Sequence, residues 1–286
     1  MSKLFHDMQD AARRSAERPA SSPALTQLLE SVGADAEAAR EATATVLQGC
    51  RQLQMLPLKR PILLPDDETS TTHGAFEGYR ALRTKLVRFQ SSEGVRSVVV
   101  TSAEAGEGKT VSALNLGLSL AQLPSQRVLL VDADMRTSGL STLTGAVETP
   151  GLAEVLSGEA PFESAPVATN IRNLYIVGAG DAKQPAADLL AGPRLRDFIG
   201  WCNEVFSMVL LDCPPMIGLA DFDIAGAACD AVLVVVRAHK TKREILTTLG
   251  PKLQGKKLLG MLLNGQERQR HKTHYGYYYS KVGRKR

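Results

Sequence analysis

The sequence has few cysteines, few aromatic residues and no long hydrophobic run. Its cysteines form no Cys-x-x-Cys pair and no cysteine–histidine cluster with zinc spacing, so we expect neither a disulfide framework nor a zinc site. The longest apolar stretches, such as residues 128–131 and 231–236, have the length of strands and not the roughly 18 residues of a membrane-spanning helix. The four cysteines are Cys50, Cys202, Cys213 and Cys229.

The N-terminus also lacks the unbroken apolar core that a secretory signal requires, since it reads MSKLFHDMQDAARR. We therefore predict a cytoplasmic protein that does not itself cross a membrane. With 44% apolar and 22% charged residues, the composition is that of a soluble globular protein. This composition excludes a collagen-like or a wholly disordered chain.

The basic excess of the chain lies at its C-terminal end. The formal charge is +4, from 34 Lys and Arg residues against 30 Asp and Glu residues. Residues 268–286 contain seven basic residues and no acidic one, which leaves 27 basic and 30 acidic residues in the remainder. Such a tail can meet nucleic acid, acidic lipid or an acidic protein surface, and charge alone does not choose among them.

The sequence pattern divides the chain into three parts. In residues 1–72, the first 56 or so are rich in Ala, Arg, Glu and Gln, and prolines separate two helical candidates there, the second over residues 35–55. Residues 57–72 are a stretch interrupted by prolines. We predict that this part is a helical or flexible N-terminal arm and linker, because it has few large apolar residues to offset the entropy of ordering. Residues 73–267 form the predicted folded domain, and residues 268–286 form the basic tail.

Short Val- and Leu-rich runs alternate with helical segments in the domain. This alternation predicts an α/β fold, doubly wound, with a mostly parallel sheet and helices on both faces. Helices are predicted over residues 76–89 and 110–122. The predicted strands cover residues 97–101, 128–131, 174–177, 208–211, 231–236 and 258–263.

The most informative segment is SVVVTSAEAGEGKT, residues 97–110, in which a strand runs through a Gly-rich turn into a helix. Gly106 and Gly108 allow backbone amides to point at a polyanion, and Lys109 supplies an ammonium group. Thr110 can give its hydroxyl to Mg²⁺. Ala103 replaces the first glycine of the general pattern. The segment predicts a phosphate-binding loop of the P-loop NTPase type.

Two further predicted strands end in carboxylates. Asp132 and Asp134 follow one strand in the segment RVLLVDADMR, and Asp212 ends another in MVLLDCPP. The carboxyl ends of parallel strands converge on the crevice that holds the phosphate loop, so we expect the three acids to lie near it. Asp212 is the candidate for holding Mg²⁺, directly or through water. Turn capping explains any one of these acids, but it explains three at strand ends much less well.

These segments resemble the Walker A, A′ and B motifs of bacterial tyrosine kinases, the cytoplasmic autokinases that regulate capsule and exopolysaccharide synthesis. The resemblance covers roughly residues 76–281. Related partitioning and septum-positioning ATPases usually carry an extra lysine early in the loop, where this chain has Glu104, and this favours the kinase branch. The resemblance implies ATP and Mg²⁺ as cofactors. It also implies a nucleotide site of Ala105, Gly106, Glu107, Gly108, Lys109, Thr110, Val111 and Asn264.

The same resemblance assigns chemical roles. Lys109 stabilises the transferring phosphoryl group, and Asp132 is the first choice to accept or orient the tyrosine proton. Thr110 and Asp212 then hold the Mg²⁺, and Asp134 contacts water molecules bound to it. The assignment leaves open an exchange of the roles of Asp132 and Asp134. For each of two other residues, two interpretations remain open. Arg136 contacts phosphate or forms a structural ion pair, and Asn264 lies beside adenine or forms a turn.

Two segments outside these motifs agree with the kinase family. The helix segment EGYRALR places Glu77, Arg80 and Arg83 on one broad face, with Glu77 able to pair with Arg80. It is similar to the ExxRxxR element through which the family's subunits pack into a ring. The tail HYGYYYSKVGRKR resembles the family's terminal tyrosine cluster, phosphorylated on a neighbouring subunit. Its candidate phosphoacceptors are Tyr275, Tyr277, Tyr278 and Tyr279.

Three functions are therefore compared. An autokinase would work as a ring-like homo-oligomer with a separate membrane adaptor of the polysaccharide co-polymerase type, and would be recruited through it to the inner face of the membrane. A partitioning or positioning ATPase would act as a nucleotide-dependent dimer switch. A nucleic-acid-binding module would use the aromatic and basic tail. The Walker-type motifs favour the autokinase, so no nucleic-acid partner is expected.

Overall fold

The computed structural model describes residues 47–55 and 73–265. The elements named below belong to one compact unit, which begins at Cys50. Its strands are β1 (Arg51–Leu53), β2 (Ser97–Ser102), β3 (Val128–Asp132), β4 (Val167–Thr169), β5 (Leu174–Val177), β6 (Met208–Asp212), β7 (Ala231–Arg237) and β8 (Leu258–Asn264). They form a single eight-stranded sheet in the order β1-β4-β5-β3-β6-β2-β7-β8.

The helices connect these strands. They are α1 (His73–Glu93), α2 (Lys109–Ala121), α3 (Gly139–Thr144), α4 (Leu152–Ser157), α5 (Ala186–Ala191), α6 (Arg194–Val205), α7 (Asp221–Ala228), α8 (Arg243–Thr248) and α9 (Gly250–Leu253). A short 3₁₀ turn covers Phe162–Ser164. The predicted α/β architecture with a mostly parallel sheet is confirmed, since every neighbouring pair of strands is parallel except β4 and β5.

The central strands β2, β3 and β6 are buried along their whole length. Helices α1 and α2 pack in one core cluster with alternate strand residues such as Val98, Val100 and Leu130. The residues between them, such as Val99 and Leu129, are equally buried, and helices α6 and α7 contact β6 and β2. Burial of both faces explains why these strands are continuous runs of Val and Leu without alternation.

Helix α2 is buried on nearly all sides, from Lys109 to its end at Ala121. A helix that is mostly apolar around its circumference belongs in a protein interior, and its sequence after Thr110 is accordingly rich in Leu and Ala. It packs along β2, β3 and β6. Because it follows β2 through a short turn, its N-terminus lies at the carboxyl ends of these parallel strands.

One prediction for the N-terminal part is wrong. Residues 35–55 were expected to form one helix, but Arg51–Leu53 forms strand β1 and pairs in parallel with β4. Side-chain contacts hold this segment: the Arg51 guanidinium donates to the carbonyl oxygens of Thr149 at 2.9 Å and Pro150 at 3.1 Å, and the Asn170 side-chain oxygen accepts from the Met55 backbone N–H at 3.3 Å. Pairing to β4, a strand more than 100 residues away in the sequence, therefore overrides local helix propensity. Among the residues described, no helix is long and apolar enough to span a membrane.

The strand order brings the carboxyl ends of β2, β3 and β6 side by side. Strand β6 lies between β3 and β2, with Asp132 opposite Asp212 in the β3–β6 register and Val100 opposite Asp212 in the β2–β6 register. Neighbouring strands lie about 4.8 Å apart, so side chains that follow these strands meet within a few residues of one another. The sheet thus places the Gly-rich turn and both acidic segments at one edge.

Candidate nucleotide-binding and catalytic site

The Gly-rich turn between β2 and α2 has the backbone geometry of an anion-binding loop. Gly106 and Gly108 have φ angles of +77° and +93°, in the left-handed region that glycine adopts without strain. A Cβ on Gly108 would overlap the side-chain amide of Asn264, so this position excludes a side chain for a second reason. The turn leads into the N-terminus of α2, whose first amides lack acceptors within the helix and favour an anion.

Three carbonyl oxygens of the turn are held by side chains from the β7–β8 side of the sheet. Lys240 Nζ donates to the Ala105 carbonyl at 2.9 Å, and the Arg237 guanidinium donates to that of Gly106 at 3.1 Å. The Asn264 side-chain amide donates to that of Glu107 at 2.9 Å. These hydrogen bonds tie the turn to the β7–β8 side of the sheet. We name these three donors the carbonyl clamp.

The side chain of Glu107 adds a second constraint and is fully buried. Its Oε2 accepts from the Glu104 backbone N–H at 3.0 Å, which closes the turn on itself. Its Oε1 accepts from the Thr241 hydroxyl, which ties the turn to the segment after β7. A buried carboxylate needs such partners, because an unpaired one would carry a large desolvation cost.

Sequence reasoning missed Arg237, Lys240 and Thr241. Arg237 is the last residue of β7, the strand next to β2, and Lys240 and Thr241 follow it, so all three lie at the same edge of the sheet as the phosphate loop. One signal could have identified them: they are polar residues at the end of a buried strand, and that strand neighbours the one that carries the loop.

Lys109 lies between two carboxylates. Its Nζ is 2.8 Å from Asp134 Oδ2 and 3.4 Å from Asp212 Oδ1, and it is 3.3 Å from the Thr110 hydroxyl. Burial lowers the pKa of Lys109, but the charges of Asp212 and Asp134 outweigh burial and raise it. The predicted meeting of the loop lysine with acids from two other strands is therefore present in the structure.

Burial raises the pKa of Asp212 to about 7, against the charge of Lys109, which lowers it. Its second oxygen, Oδ2, is buried and has no hydrogen-bond partner among the described residues. Such an orphaned oxygen fits a missing cationic ligand, and oxygen donors are those that Mg²⁺ prefers. The residues present therefore fit Mg²⁺, with Thr110, Asp134 and Asp212 as the protein groups that would hold it.

No group of three His, Cys, Asp or Glu residues in the described part of the chain could hold a metal ion by itself. This is compatible with Mg²⁺, which is usually bound through one or two carboxylates together with substrate phosphates.

Asp132 has a different environment from Asp134, although the sequence makes them look alike. It is fully buried, and its Oδ2 accepts from the Ser141 backbone N–H at 2.8 Å and the Ser141 hydroxyl at 2.7 Å. Its Oδ1 accepts from the Asp134 backbone N–H at 3.2 Å. Burial raises the pKa of Asp132, and the hydrogen bonds from Ser141 partly oppose that rise. Asp132 thus anchors the turn that carries Asp134.

Arg136 forms an ion pair with Asp221. Its Nε is 2.9 Å from Asp221 Oδ2, and a second guanidinium nitrogen is 3.3 Å from Oδ1. The Asp221 side chain is fully buried, whereas that of Arg136 is 45% exposed. Of the two interpretations kept for Arg136, the ion pair is the one present in this structure.

Replacing Arg136 by alanine is expected to destabilise the fold by about 1–3 kcal/mol, because it leaves the buried Asp221 carboxylate without its donor. Urea unfolding of the full chain measures this change. The double variant Arg136→Ala/Asp221→Asn removes the unpaired charge and should recover part of the loss. A loss below about 0.5 kcal/mol in the single variant would contradict this account.

The ExxRxxR segment lies on α1. Glu77 Oε1 accepts from the Arg80 guanidinium at 2.7 Å, so the expected pair is present. Arg83 donates to the Ser119 carbonyl at 2.9 Å and to the Gln122 side chain at 3.2 Å, near the end of α2. In this structure Arg83 therefore stabilises the C-terminus of a helix within its own chain.

The remaining predicted site residues lie as follows. Ala105 is exposed at the top of the turn, and Val111 packs partly against the core. The Asn264 side chain serves both the clamp and a turn, since its oxygen also accepts from the Gly265 backbone N–H at 2.8 Å. The candidate phosphoacceptors Tyr275, Tyr277, Tyr278 and Tyr279 lie outside the described residues.

Comparison with known proteins agrees with this site. Residues 95–254 match the family model described as AAA domain. The chain is 33% identical over 207 residues to the tyrosine-protein kinase YwqD of Bacillus subtilis, which covers 72% of this chain and 86% of that protein. It is 30% identical over 246 residues to the tyrosine-protein kinase Wzc of Salmonella typhi and spans 32% of that longer protein.

Solved structures show the same relationship. The kinase domain of the Escherichia coli tyrosine kinase ETK superposes with a TM-score of 0.65 at 26% identity, covering 80% of this chain and 94% of that domain. The septum site-determining protein MinD of Pyrococcus horikoshii, solved with Mg-ADP, superposes with a TM-score of 0.51 at 27% identity. This match covers 59% of the present chain and 69% of the MinD chain. The kinase domain of ETK superposes with the higher TM-score and over more of both chains than MinD does. With the match to YwqD, this shows that the chain belongs to the family of bacterial tyrosine-protein kinases.

Proposed function

We propose that the chain is an ATP-dependent protein-tyrosine autokinase that phosphorylates the C-terminal tyrosine cluster of a neighbouring copy. The observation that carries the proposal is Lys109 at the start of α2, within hydrogen-bond or ion-pair distance of carboxylates from the ends of β3 and β6. Membership of a family whose relatives are named tyrosine-protein kinases supports the same activity.

The carbonyl clamp and the buried Glu107 hold the loop ready for the phosphates of ATP. Without nucleotide, Lys109 neutralises Asp134 and Asp212. With nucleotide, its ammonium is positioned to turn towards the β- and γ-phosphates, which frees the two carboxylates for the metal. When bound, Mg²⁺ neutralises charge that develops on the phosphate oxygens during transfer. The neighbour MinD, solved with Mg-ADP, supports this pairing of nucleotide and metal.

In the transfer step, the phenolic oxygen of tyrosine forms a bond to the γ-phosphorus while the bond from that phosphorus to the β,γ-bridging oxygen breaks. ADP leaves, and the phenolic proton passes to a carboxylate. The candidates are the pair Asp132 and Asp134. Asp132 holds the backbone of Asp134 through the 3.2 Å hydrogen bond, so a change at Asp132 would also displace Asp134.

The biological role follows from the family resemblance: regulation of capsule or exopolysaccharide synthesis or export. Within that role we propose a ring-like homo-oligomer formed through Glu77, Arg80 and Arg83, a membrane adaptor as partner, and recruitment to the inner face of the membrane through it. Oligomer formation would have to release Arg83 from its contacts with Ser119 and Gln122 or build upon them. No nucleic-acid partner is proposed.

Intact-mass measurement after incubation with MgATP tests the activity. We expect the full chain to gain one to four increments of about 80 Da, the mass of a phosphoryl group. The variant with Tyr275, Tyr277, Tyr278 and Tyr279 all changed to phenylalanine should gain none at these sites.

The alternatives give different results. ATP hydrolysis with an unmodified tail, even with an adaptor supplied, would indicate the positioning-type ATPase and contradict the kinase. Affinity for nucleic acid that falls steeply with salt and is lost when residues 281–286 are removed would indicate the nucleic-acid module.

A further inference from the structure

Glu107 lies between the two glycines of the phosphate loop and is held by groups from other strands. Gly106 and Gly108 flank it, and both have positive φ angles. Glycine loses more conformational freedom on ordering than any other residue, so a loop built on two glycines needs an anchor to keep one shape. Glu107 is placed to be that anchor, because its side chain is fully buried and its carbonyl accepts from the Asn264 amide.

The carboxylate of Glu107 belongs to a chain of hydrogen bonds that leads to strand β7. Its Oε1 accepts from the Thr241 hydroxyl. The hydroxyl oxygen of Thr241 in turn accepts from the Arg237 backbone N–H at 3.0 Å. A backbone N–H can only donate and an ionised carboxylate can only accept, so the single hydroxyl hydrogen of Thr241 points to Glu107. Each hydrogen bond of this chain therefore has one possible direction.

The turn after β7 holds Thr241 in place. The Arg237 carbonyl oxygen accepts from the backbone N–H groups of Lys240 at 3.2 Å and Thr241 at 3.0 Å. Arg237 is the last residue of β7, which pairs with β2, the strand that leads into the phosphate loop. At the other end of the hydrogen-bond chain, Glu107 Oε2 accepts from the Glu104 N–H at 3.0 Å. The hydrogen-bond chain thus ties the loop to the strand beside the one from which the loop begins.

The Thr241 hydroxyl acts on the loop and not on the nucleotide itself. Its one hydrogen is engaged by Glu107, so none remains for a phosphate oxygen. A loop that already has its binding shape loses less conformational entropy when the ligand arrives, and such preorganisation raises affinity. Any effect of Thr241 on nucleotide binding therefore passes through Glu107.

We infer that Thr241 is a positioning residue for nucleotide binding, which raises the affinity for the phosphates of ATP and ADP by fixing Glu107 and, with it, the backbone of residues 104–108. The inference rests on the nucleotide-binding part of the proposed function. It adds to that function a residue that lies outside the Walker-type motifs and more than 130 positions after the loop.

Thr241→Val tests the inference, because valine keeps the branched shape of threonine and lacks the hydroxyl. We expect the Kd for MgADP, measured by isothermal titration on the full chain, to rise about tenfold or more, since the buried Glu107 carboxylate loses a donor. Thr241→Ser keeps the hydroxyl and should bind within about threefold of the unmodified chain. A Kd for Thr241→Val within about twofold, or equal losses in the two variants, would overturn the inference. Thr241→Ala replaces the valine variant if that variant does not fold.

Thr169→Val is the matched control. Thr169 is buried on β4, and four strands separate β4 from β7 in the sheet. Its hydroxyl also donates to an oxygen, the Leu174 carbonyl at 2.9 Å, and also accepts from a backbone N–H, that of Ile171 at 3.1 Å. We expect this variant to be less stable and to keep its MgADP affinity within about twofold. An equal loss of affinity in this control would contradict a specific role for Thr241.

Hydrogen exchange measures the loop directly, before any nucleotide is added. In Thr241→Val we expect the Glu104 amide, which donates to Glu107 Oε2, to exchange about tenfold faster or more. The Ala133 amide donates to the Asp212 carbonyl at 2.9 Å on the other side of the site and should keep its rate. An unchanged rate at Glu104 would show that the hydroxyl does not fix the loop and would overturn the inference.

A double-mutant cycle tests whether the effect passes through Glu107. Glu107→Gln alone should also weaken MgADP binding, because an amide cannot accept at both of its terminal atoms. Once Glu107 is changed, the further change Thr241→Val should cost no more than about twofold. Losses that multiply in the double variant would show that Thr241 acts on the nucleotide by another route.

These measurements need no phosphoryl transfer, so they separate this inference from the proposed kinase activity. Phosphate transfer by a Thr241→Val chain whose MgADP affinity is unchanged leaves the kinase standing and removes the role of Thr241. Weakened MgADP binding by this variant, with no transfer even by the unmodified chain, retains the role of Thr241 and contradicts the kinase.

Discussion

Replacing Lys109 by methionine is expected to reduce tyrosine phosphorylation by about 10³-fold or more. Lys109 is the one cation that the loop itself supplies to the phosphates, and a preorganised charge aimed at a transferring phosphoryl group is among the largest contributions to such catalysis. The change is measured as the initial rate of phosphate incorporation into a separate acceptor chain with intact tyrosines.

The variant is expected to remain folded with a lower Tm. Without Lys109, the buried Asp134 and Asp212 lose their cation. Because burial already raises the pKa of Asp212 to about 7, this carboxyl can take up a proton near neutral pH and so avoid a buried unpaired charge.

Lys257→Met is the matched control for Lys109→Met. Lys257 also forms an ion pair, 2.9 Å from Glu93, but it immediately precedes β8, at the edge of the sheet away from the loop. We expect this control to retain its rate within about twofold. A Lys109→Met protein that is folded and phosphorylates at a comparable rate would show that the loop lysine does not act on the phosphates.

The second large effect is expected for Gly108→Ala, which should weaken nucleotide binding by about 100-fold or more. Gly108 has a φ of +93°, and the new methyl group would overlap the Asn264 side chain, so the loop has to move or the clamp has to break. Either change misplaces amides that must point at the phosphates. Isothermal titration with MgADP measures the loss of affinity.

Gly94 offers a matched control, because it also has a positive φ angle but lies outside the nucleotide site. Its φ is +69°, but no atom lies within 4 Å of the position that a Cβ would occupy. Gly94→Ala is therefore expected to lower stability by about 1 kcal/mol and leave nucleotide affinity unchanged. Removing the overlapping amide in Gly108→Ala/Asn264→Ala should recover affinity only in part, because the clamp is lost. Affinity for Gly108→Ala within threefold of the unmodified chain would contradict the role of this glycine.

The central strands could be predicted to within one residue because they are buried on both faces. Their continuous Val and Leu runs contrast sharply with the polar turns beside them, as at residues 208–211, where the strand ends one residue later at Asp212. The phosphate loop was recognisable because its chemistry is local: glycines, a lysine and a threonine must follow a strand and begin a helix.

Other features could not be predicted because they depend on distant pairing. Strands β1 and β4 have only three residues each, too few for a periodicity, and β1 exists through its pairing with residues more than 100 positions away. The clamp donors Arg237 and Lys240 look like ordinary surface residues until β7 is placed next to β2. The difference between Asp132 and Asp134 likewise depends on Ser141, whose position only the fold determines.

The contact between Asn264 and the Glu107 carbonyl links the loop to a residue 157 positions later in the chain. During synthesis, residues 103–110 are translated well before Arg237, Lys240 and Asn264, so the loop exists for much of that time without its supporting side chains. Folding of the nucleotide site therefore has to finish late, after the last strand has joined the sheet. A nascent chain therefore gains the side chains that support its phosphate loop only once strand β8 has been made.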